Sequence, residues 1–413
     1  MANTLATPNW VMKEVARGYT NKVVFVANVN RTYDDQYKVA GAKVGNTVQA
    51  RLPQRFTVTD GQALQLQALY DQTVPITLTN QKNVAFGYSS AQATTELDAI
   101  RERYTNPAGE ALANAADVLL FQNVYRDVYN SIGTPGTTPS TTLAYLQAGV
   151  KLTDLAAPMS GRIAVLDPMA MVTIANTSST LFNPSAVISE NYREGMFGRK
   201  QLGIDEWYQD PNRPLHTTGS WTSTASPAVN GAGQTGSTLA ADGFASGSTT
   251  LKKGDVFTIA GVYSVNPLSY QSTGRLQDFV VTADASDSSG AIAALGISPP
   301  IITSGQLQTV SNSPADDAVI RLKGQSADAS ATYAATVSPQ SLIYHPDAFA
   351  FVMADLMKPE AGAKATVVRS KALGFSIRMV EQYQIGSDQN PSRLDILIGA
   401  ATVQARLAAR MWG

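Results

Sequence analysis

The stretch NPAGEALANAADVLLFQNVYRDV, residues 106–128, carries the strongest secondary-structure signal of the chain. Asn106 occupies an N-cap position and Pro107 the first helical position, and apolar residues then recur at every fourth position. We predict a helix of about 25 residues, about 40 Å long, which ends near Ser131. The repeating apolar positions are Leu112, Ala116, Leu120, Val124 and Val128.

Residues 41–88, which precede this helix, alternate between apolar and polar side chains as strands do. The alternation predicts long β-ribbons over 47–52, 56–58, 74–79 and 84–86. The segment has no second set of large apolar residues to cover these ribbons, and an isolated ribbon is marginal in water. We therefore expect the ribbons to pack against other copies of the chain.

Three later segments repeat an X-Pro helix start, and two of them follow an apolar run typical of a buried strand. With two further strands near the end of the chain, they predict one mixed α+β domain built from two blocks of sequence. The helix starts are Asp167-Pro168, Asn183-Pro184 and His345-Pro346, and the strands are 163–166, 342–344, 375–380 and 394–398.

Residues 216–250 separate the two blocks, and 20 of these 35 residues are Ser, Thr or Gly. This composition predicts a loop or linker with little core of its own. Short strands with turn residues between them follow at 253–262, 277–282 and 319–322, which is typical of a small barrel or sandwich. We predict an inserted β domain whose ends, near 215 and 338, lie close together.

The composition excludes several classes of protein. Among 413 residues, Lys and Arg (31) nearly cancel Asp and Glu (32), so the chain is unsuited to gripping nucleic acid or an anionic membrane by charge. Without cysteine there are no disulfides, thiolate metal sites or iron–sulfur clusters, and two histidines leave almost no basis for a histidine-rich metal centre. No apolar run is long enough for a membrane span, and the polar N-terminus favours a cytoplasmic protein.

No motif for catalysis is present: the phosphate loop, dinucleotide fingerprint, nucleophile elbow, zinc-protease helix and calcium loop are all missing. We assign no catalytic role to His216 or His345, and we expect the neighbouring carboxylates Asp205-Glu206 and Asp316-Asp317 to be solvated. The chain is therefore predicted to be no enzyme and to use no cofactor and no metal.

Basic residues in the first 40 positions suit docking on an acidic partner, although a solvated face explains them equally well. They outnumber the acidic residues of the same segment, five to three. The five are Lys13, Arg17, Lys22, Arg31 and Lys38.

The order and spacing of several short motifs resemble tailed-phage coat proteins. Gly45-Asn46-Thr47-Val48, the run 74–78 and Asn106-Pro107-Ala108 are similar to their extended loop and spine helix. In the second half, Arg193-Glu194-Gly195-Met196-Phe197-Gly198 and Arg393-Leu394-Asp395-Ile396-Leu397 are similar to the coat family of the phage P22 type. The resemblance covers essentially the whole chain.

This resemblance implies an α+β chain with the Hong Kong ninety-seven-type capsid fold. The expected parts are an N-arm, an extended β loop, a peripheral domain with the spine helix, and an axial domain that carries an inserted small β-barrel. The implied boundaries are 1–40 for the N-arm, 41–95 for the extended loop, 96–135 for the peripheral domain with its helix, 136–219 and 336–413 for the two axial/peripheral blocks, and 220–335 for the barrel.

The implied function is that of a major capsid protein of a tailed double-stranded DNA phage. Copies would form hexamers and pentamers of an icosahedral shell that encloses DNA without reading its sequence. Assembly would take place in the host cytoplasm with a scaffolding protein and a portal, and a decoration protein would be a possible further partner. The alternatives left open are an encapsulin-like nanocompartment shell and a secreted β-rich binding module.

The expected site residues are contacts between subunits. We predict that five apolar residues of the extended loop line a neighbouring subunit, and that three basic residues of the N-arm contact scaffolding protein or an adjacent chain. They are Val48, Leu52, Val74, Ile76 and Leu78 in the loop, and Lys13, Arg17 and Lys22 in the arm.

Overall fold

The computed structural model divides the chain into two compact units. The first comprises Met1–Ala50, Thr73–Phe121 and Phe349–Ala401, and the second comprises Arg51–Gln72, Gln122–Ala348 and Thr402–Gly413. The residues that the structure describes are 24–32, 47–59, 61–62, 64, 66–89, 106–178, 200–222, 226–325, 332–359, 364–370 and 375–413.

Strands dominate the described residues, with three α-helices among them. The helices are α1 (Asn106–Val124), α2 (Thr142–Asp154) and α3 (Pro168–Ser178). The strands are β1 (Thr47–Arg51), β2 (Thr73–Thr77), β3 (Asn80–Ser89), β4 (Ser131–Ile132), β5 (Ile163–Leu166), β6 (Glu206–Gln209), β7 (Leu215–Thr217), β8 (Ala228–Val229), β9 (Gly236–Asp242), β10 (Thr250–Leu251), β11 (Val256–Val265), β12 (Ser272–Val281), β13 (Ala285–Ser286), β14 (Ile292–Ile301), β15 (Ile320–Leu322), β16 (Val337–Tyr344), β17 (Phe349–Ala354), β18 (Lys364–Ser370), β19 (Phe375–Glu381), β20 (Gln389–Thr402) and β21 (Ala408–Trp412).

Helix α1 is shorter than predicted, with 19 residues instead of about 25. The predicted apolar positions from Leu112 to Val124 are buried, which confirms the helical face. A 3-10 turn, Tyr125–Asp127, then ends the helix, and Val128 is extended. The chain leaves the helix early because Ser131 and Ile132 pair in parallel with the last strand, β21. Val128 is buried as predicted, but outside the helix.

The first unit contains a sheet in the order β17-β20-β19-β18, with β3 also paired to β20. The predicted strands at 375–380 and 394–398 are confirmed as parts of β19 and β20. The predicted helix after Pro346 is wrong: only the 3-10 turn Pro346–Ala348 forms before β17. Five consecutive apolar residues of β17 are buried, and such a run suits a strand covered on both faces better than an amphipathic helix.

Part of the predicted N-arm is packed within the first unit. The Asp117 carboxylate of α1 accepts hydrogen bonds from the backbone N–H groups of Val24 and Val26, both at 2.9 Å. The Phe25 ring stacks on Phe121 with centroids 4.5 Å apart. Asn30 forms a parallel bridge to Ala350 of β17. Residues 24–32 are thus tied to the helix and the sheet.

The second unit contains a sheet in the order β4-β21-β16-β5-β6, with β7 paired to β16. The predicted strands at 163–166 and 342–344 are adjacent and antiparallel in it, and α3 begins at Pro168 as predicted. The predicted helix start at Asn183-Pro184 lies outside the described residues.

A second sheet of this unit, in the order β15-β11-β12-β14-β9-β8, forms a barrel. A bridge between Ala228 of β8 and Val319, which precedes β15, joins its two edges. The prediction of a core-poor linker over 216–250 is wrong, because Val229, Leu239 and Phe244 are buried in the barrel core. Small residues surround these apolar ones, so the composition concealed strands β8 and β9. The predicted domain boundaries stay predictions.

Candidate assembly surface

The segment between β1 and β2, residues 52–72, is called the tip below. A backbone hydrogen bond from Leu52 N–H to the Gln72 carbonyl, 2.9 Å long, closes its base. The described residues of the tip form neither helix nor strand, so the strand predicted at 56–58 is absent. The flanking strands β1 and β2 pair with each other, as the ribbon prediction required.

The five apolar residues predicted to line a neighbouring subunit differ in exposure. Val48, Ile76 and Leu78 are buried within the single chain, whereas Leu52 and Val74 are half-buried. A residue that its own chain covers has little surface left for a neighbour, so Ile76 is a poor position at which to test assembly without disturbing the fold. The predicted arm contacts Lys13, Arg17 and Lys22 lie outside the described residues.

The tip exposes large apolar side chains that the sequence reading did not single out. Leu66 is 89% and Leu69 is 74% exposed, and four other apolar residues of the tip are more than half exposed. Clusters of exposed apolar residues of this kind mark interaction sites. The signal in the sequence is the apolar content of residues 56–70. The full set is Phe56, Val58, Leu64, Leu66, Leu69 and Tyr70.

Polar contacts hold the tip in place within the second unit. The Gln67 carboxamide pairs with both backbone groups of Thr57: its Oε1 accepts from the N–H at 2.9 Å and its Nε2 donates to the carbonyl. The Gln306 side chain donates to the same Gln67 Oε1 at 2.7 Å, and the Tyr270 hydroxyl donates to the Phe56 carbonyl at 3.4 Å. These bonds fix the backbone while the apolar side chains stay exposed.

His216 is buried in a polar network rather than placed at a catalytic site. Its Nε2 lies 2.9 Å from Asp255 Oδ1, and its Nδ1 lies 3.3 Å from the Tyr125 hydroxyl. Burial lowers the pKa of His216, an effect that the Asp255 hydrogen bond partly opposes. His216 is 3% and Asp255 is 1% exposed, so this arrangement has no surface to offer a substrate.

The other titratable groups considered in the sequence have local structural partners. His345 Nδ1 lies 3.5 Å from Asp347 Oδ2, and Asp316 accepts a hydrogen bond from Gly231 N–H at 2.7 Å. Asp205 and Glu206 are half-buried and bound to Gly161 N–H and the Tyr208 hydroxyl, so they are less solvated than expected.

The described residues include neither a metal-ligand cluster nor a membrane-spanning helix. No group of three or more His, Cys, Asp or Glu side chains is arranged to hold a metal ion there. No helix among the same residues is both long and apolar enough to span a membrane.

Comparison with known proteins decides the family. The family model for the P22 coat protein, gene protein 5, matches residues 1–413. The chain belongs to the P22 coat protein family. It is a coat protein, the structural subunit of a tailed-phage capsid, and copies of it assemble into the capsid shell of the virion. This assignment over the whole chain replaces the nanocompartment and binding-module alternatives.

Solved structures similar to this coat protein come from several phages. One from Mycobacterium phage Che8 has a TM-score of 0.45 at 14% identity and covers 94% of this chain and 90% of its own. The capsid of cyanophage P-SCSP1u has a TM-score of 0.42 at 10% identity and covers 93% and 88%. The CUS-3 coat protein I-domain, at 25% identity and a TM-score of 0.19, covers 25% of this chain and 100% of its own. No curated protein sequence matches the chain.

Proposed function

We propose that this coat protein forms hexamers and pentamers of an icosahedral shell, and that its tip docks on a neighbouring copy. The observation that carries the proposal is the exposure of six large apolar side chains within residues 52–72. In water such a cluster is unfavourable, and burial on another subunit removes it from solvent.

The energy available at the tip is large enough to matter for assembly. Burying one exposed Leu or Phe side chain contributes about 1.5–3 kcal/mol, before the loss of side-chain and subunit freedom is subtracted. Leu66 and Leu69 suit a test, because both are exposed and their side chains lie outside the polar contacts that hold the tip. Because the contact is repeated at every copy in a closed shell, it strongly favours assembly.

The partners proposed for this coat protein are a scaffolding protein, a portal and a decoration protein, with assembly in the host cytoplasm. The near balance of 31 basic and 32 acidic residues supports a wall that encloses double-stranded DNA without clamping it. The basic residues Lys13, Arg17 and Lys22 support an arm that contacts an acidic surface of scaffolding protein or an adjacent chain.

The test replaces Leu66 and Leu69 by Asp, singly and together, and follows shell formation by electron microscopy and sedimentation velocity. We expect folded subunits, with circular dichroism unchanged, that form few or no closed shells, and the double variant should be the more severe. Leu215→Asp is the matched control, because Leu215 is an exposed leucine outside the tip. Normal shells from the double variant would remove the tip from the proposed interface.

A further inference from the structure

A cavity of about 370 Å³ lies within the second unit, between helix α2 and the barrel strands. It is called the cationic pocket here. Residues of β4 form one wall, α2 supplies another, and the barrel contributes Arg275 of β12 and Lys323, which follows β15. The lining residues are Ser131, Ile132, Gly133, Gln147, Val150, Lys151, Arg275 and Lys323.

Three of these lining residues are cations, and none of the eight is a carboxylate. Two of the cations have acidic partners at the edge of the pocket. Lys151 Nζ forms an ion pair with Asp278 and donates to the Ser131 carbonyl at 2.9 Å. Arg275 Nη1 lies 2.9 Å from Asp154 Oδ2.

Lys323 has no such partner. Within the described part of the chain, its Nζ makes no hydrogen bond and no ion pair, although the side chain is half-buried. No protein group of the described residues accepts from the three N–H donors of Lys323, and Lys151 retains a third donor. The pocket carries one positive charge more than its acidic neighbours balance.

The partial burial of the Lys323 charge costs stability. Burial lowers the pKa of Lys323; the charge of Asp278 opposes this effect, and the neighbouring Lys151 adds a smaller lowering. A half-buried ammonium group without a partner, beside a second ammonium group, is unfavourable because neither water nor a carboxylate fully solvates it. A methionine of similar length would avoid the cost, so packing alone does not explain a lysine here.

We propose that the cationic pocket binds an oxyanion, a phosphate or a carboxylate, between Lys323, Lys151 and Arg275. Lysine ammonium groups act as point charges toward phosphate oxygens, and an arginine fork adds directional donors for either anion. The cavity volume falls within the range of small-ligand pockets and leaves room for the anion with several waters. The bound anion supplies the negative charge that Lys323 lacks.

The test uses the full-length unassembled subunit, with sodium phosphate and sodium acetate as separate probes against sodium chloride at equal ionic strength. Thermal unfolding and isothermal titration calorimetry follow binding. Lys323→Met is the main variant and Arg275→Gln the second. Lys252→Met is the matched control, because Lys252 is an exposed lysine paired with Asp284 outside the pocket. Phosphate or acetate should raise the Tm of the wild-type subunit, since a ligand that binds only the folded state stabilises it.

The affinity should fall by about tenfold or more in Lys323→Met, which corresponds to the loss of one charge-assisted contact, and should stay unchanged in Lys252→Met. Without a probe, Lys323→Met should melt above the wild-type protein. A response to phosphate alone identifies a phosphate site, and a response to both anions identifies a general oxyanion site. The proposal is overturned if neither anion raises the Tm beyond chloride, or if Lys323→Met responds as the wild-type subunit does.

Discussion

Asp395 of β20 offers the sharpest test of how the first unit is held together. Its side chain is fully buried. Oδ2 accepts from Arg378 Nη2 and Oδ1 accepts from Arg393 Nε, both at 2.6 Å. Arg378 lies directly opposite Asp395 on the neighbouring strand β19, so this ion pair joins the two strands. We expect Asp395→Asn to destabilise the unit by weakening this ion pair.

The expected loss of stability in each variant depends on how much of each arginine is exposed. Arg378 is 16% and Arg393 is 48% exposed, so only Arg378 is left poorly solvated when the carboxylate charge is removed. Breaking a buried pair costs about 3–5 kcal/mol, and we expect the lower end, about 3 kcal/mol, for Asp395→Asn. Arg378→Met should cost somewhat less, about 2–3 kcal/mol, because the buried Asp395 carboxylate keeps Arg393 as a partner. Arg393→Met should cost about 1 kcal/mol or less, because the pair it breaks is half-exposed.

Hydrogen exchange of the unassembled subunit measures these losses where they occur. Peptides from β3, β19 and β20 should exchange faster in the order Asp395→Asn, Arg378→Met, Arg393→Met, and the urea midpoint of the first unit should fall in the same order. A two-unit chain need not unfold in one step, so the local measurement is the primary one. The reasoning is refuted if Arg393→Met is as damaging as Arg378→Met, because exposure would then not decide the cost.

Two further outcomes follow from buried polar groups. Asp117→Asn should lower the free energy that holds residues 24–32 in place by about 1.5–3 kcal/mol, because the amide nitrogen cannot accept from Val24 or Val26 N–H. Proteolysis within this segment should become faster. Asp71→Asn, at an exposed position, should leave the rate of proteolysis unchanged. His216 has a folded-state pKa below its usual value of about 6.5, so the unfolded chain binds the proton more readily, and the stability present above about pH 6.5 should be lost as the pH falls below it. Urea unfolding at about pH 7.5 and about pH 5.5 should show this loss in the wild-type protein and a smaller one in His216→Gln, and an equal loss in both would contradict the assignment.

Short-range patterns in the sequence correctly identified the features that depend on neighbouring residues. The start of α1 at Asn106-Pro107 and its buried face from Leu112 to Val124 follow from capping chemistry and helical periodicity. The same is true of α3, which starts at Pro168 as predicted. The end of α1 was not visible in this way, because it depends on the pairing of Ser131 and Ile132 with a strand about 280 residues later in the chain.

Burial by distant segments is a second feature that the sequence does not show. The predicted contacts Val48, Ile76 and Leu78 alternate as a half-buried strand should, but alternation does not tell whether the chain itself or a neighbour covers them. The strands hidden in 216–250 consist mainly of small residues, and their apolar members become a core only when β9 pairs with β14. The cationic pocket has no sequence signal, because Lys151, Arg275 and Lys323 come together only through the fold.

The irregular backbone of the tip has a physical advantage for a subunit that must stay soluble before it assembles. A straight apolar edge strand would present a row of unpaired N–H and C=O groups, which is a template for uncontrolled pairing with other chains. In the tip, the Gln67 carboxamide occupies both backbone groups of Thr57, and Gln306 fixes Gln67 in turn. The backbone of Thr57 is thus occupied, while the apolar side chains of the tip stay exposed. The proposed docking of the tip relies on apolar side chains rather than on a free strand edge, which favours assembly between specific sites over aggregation.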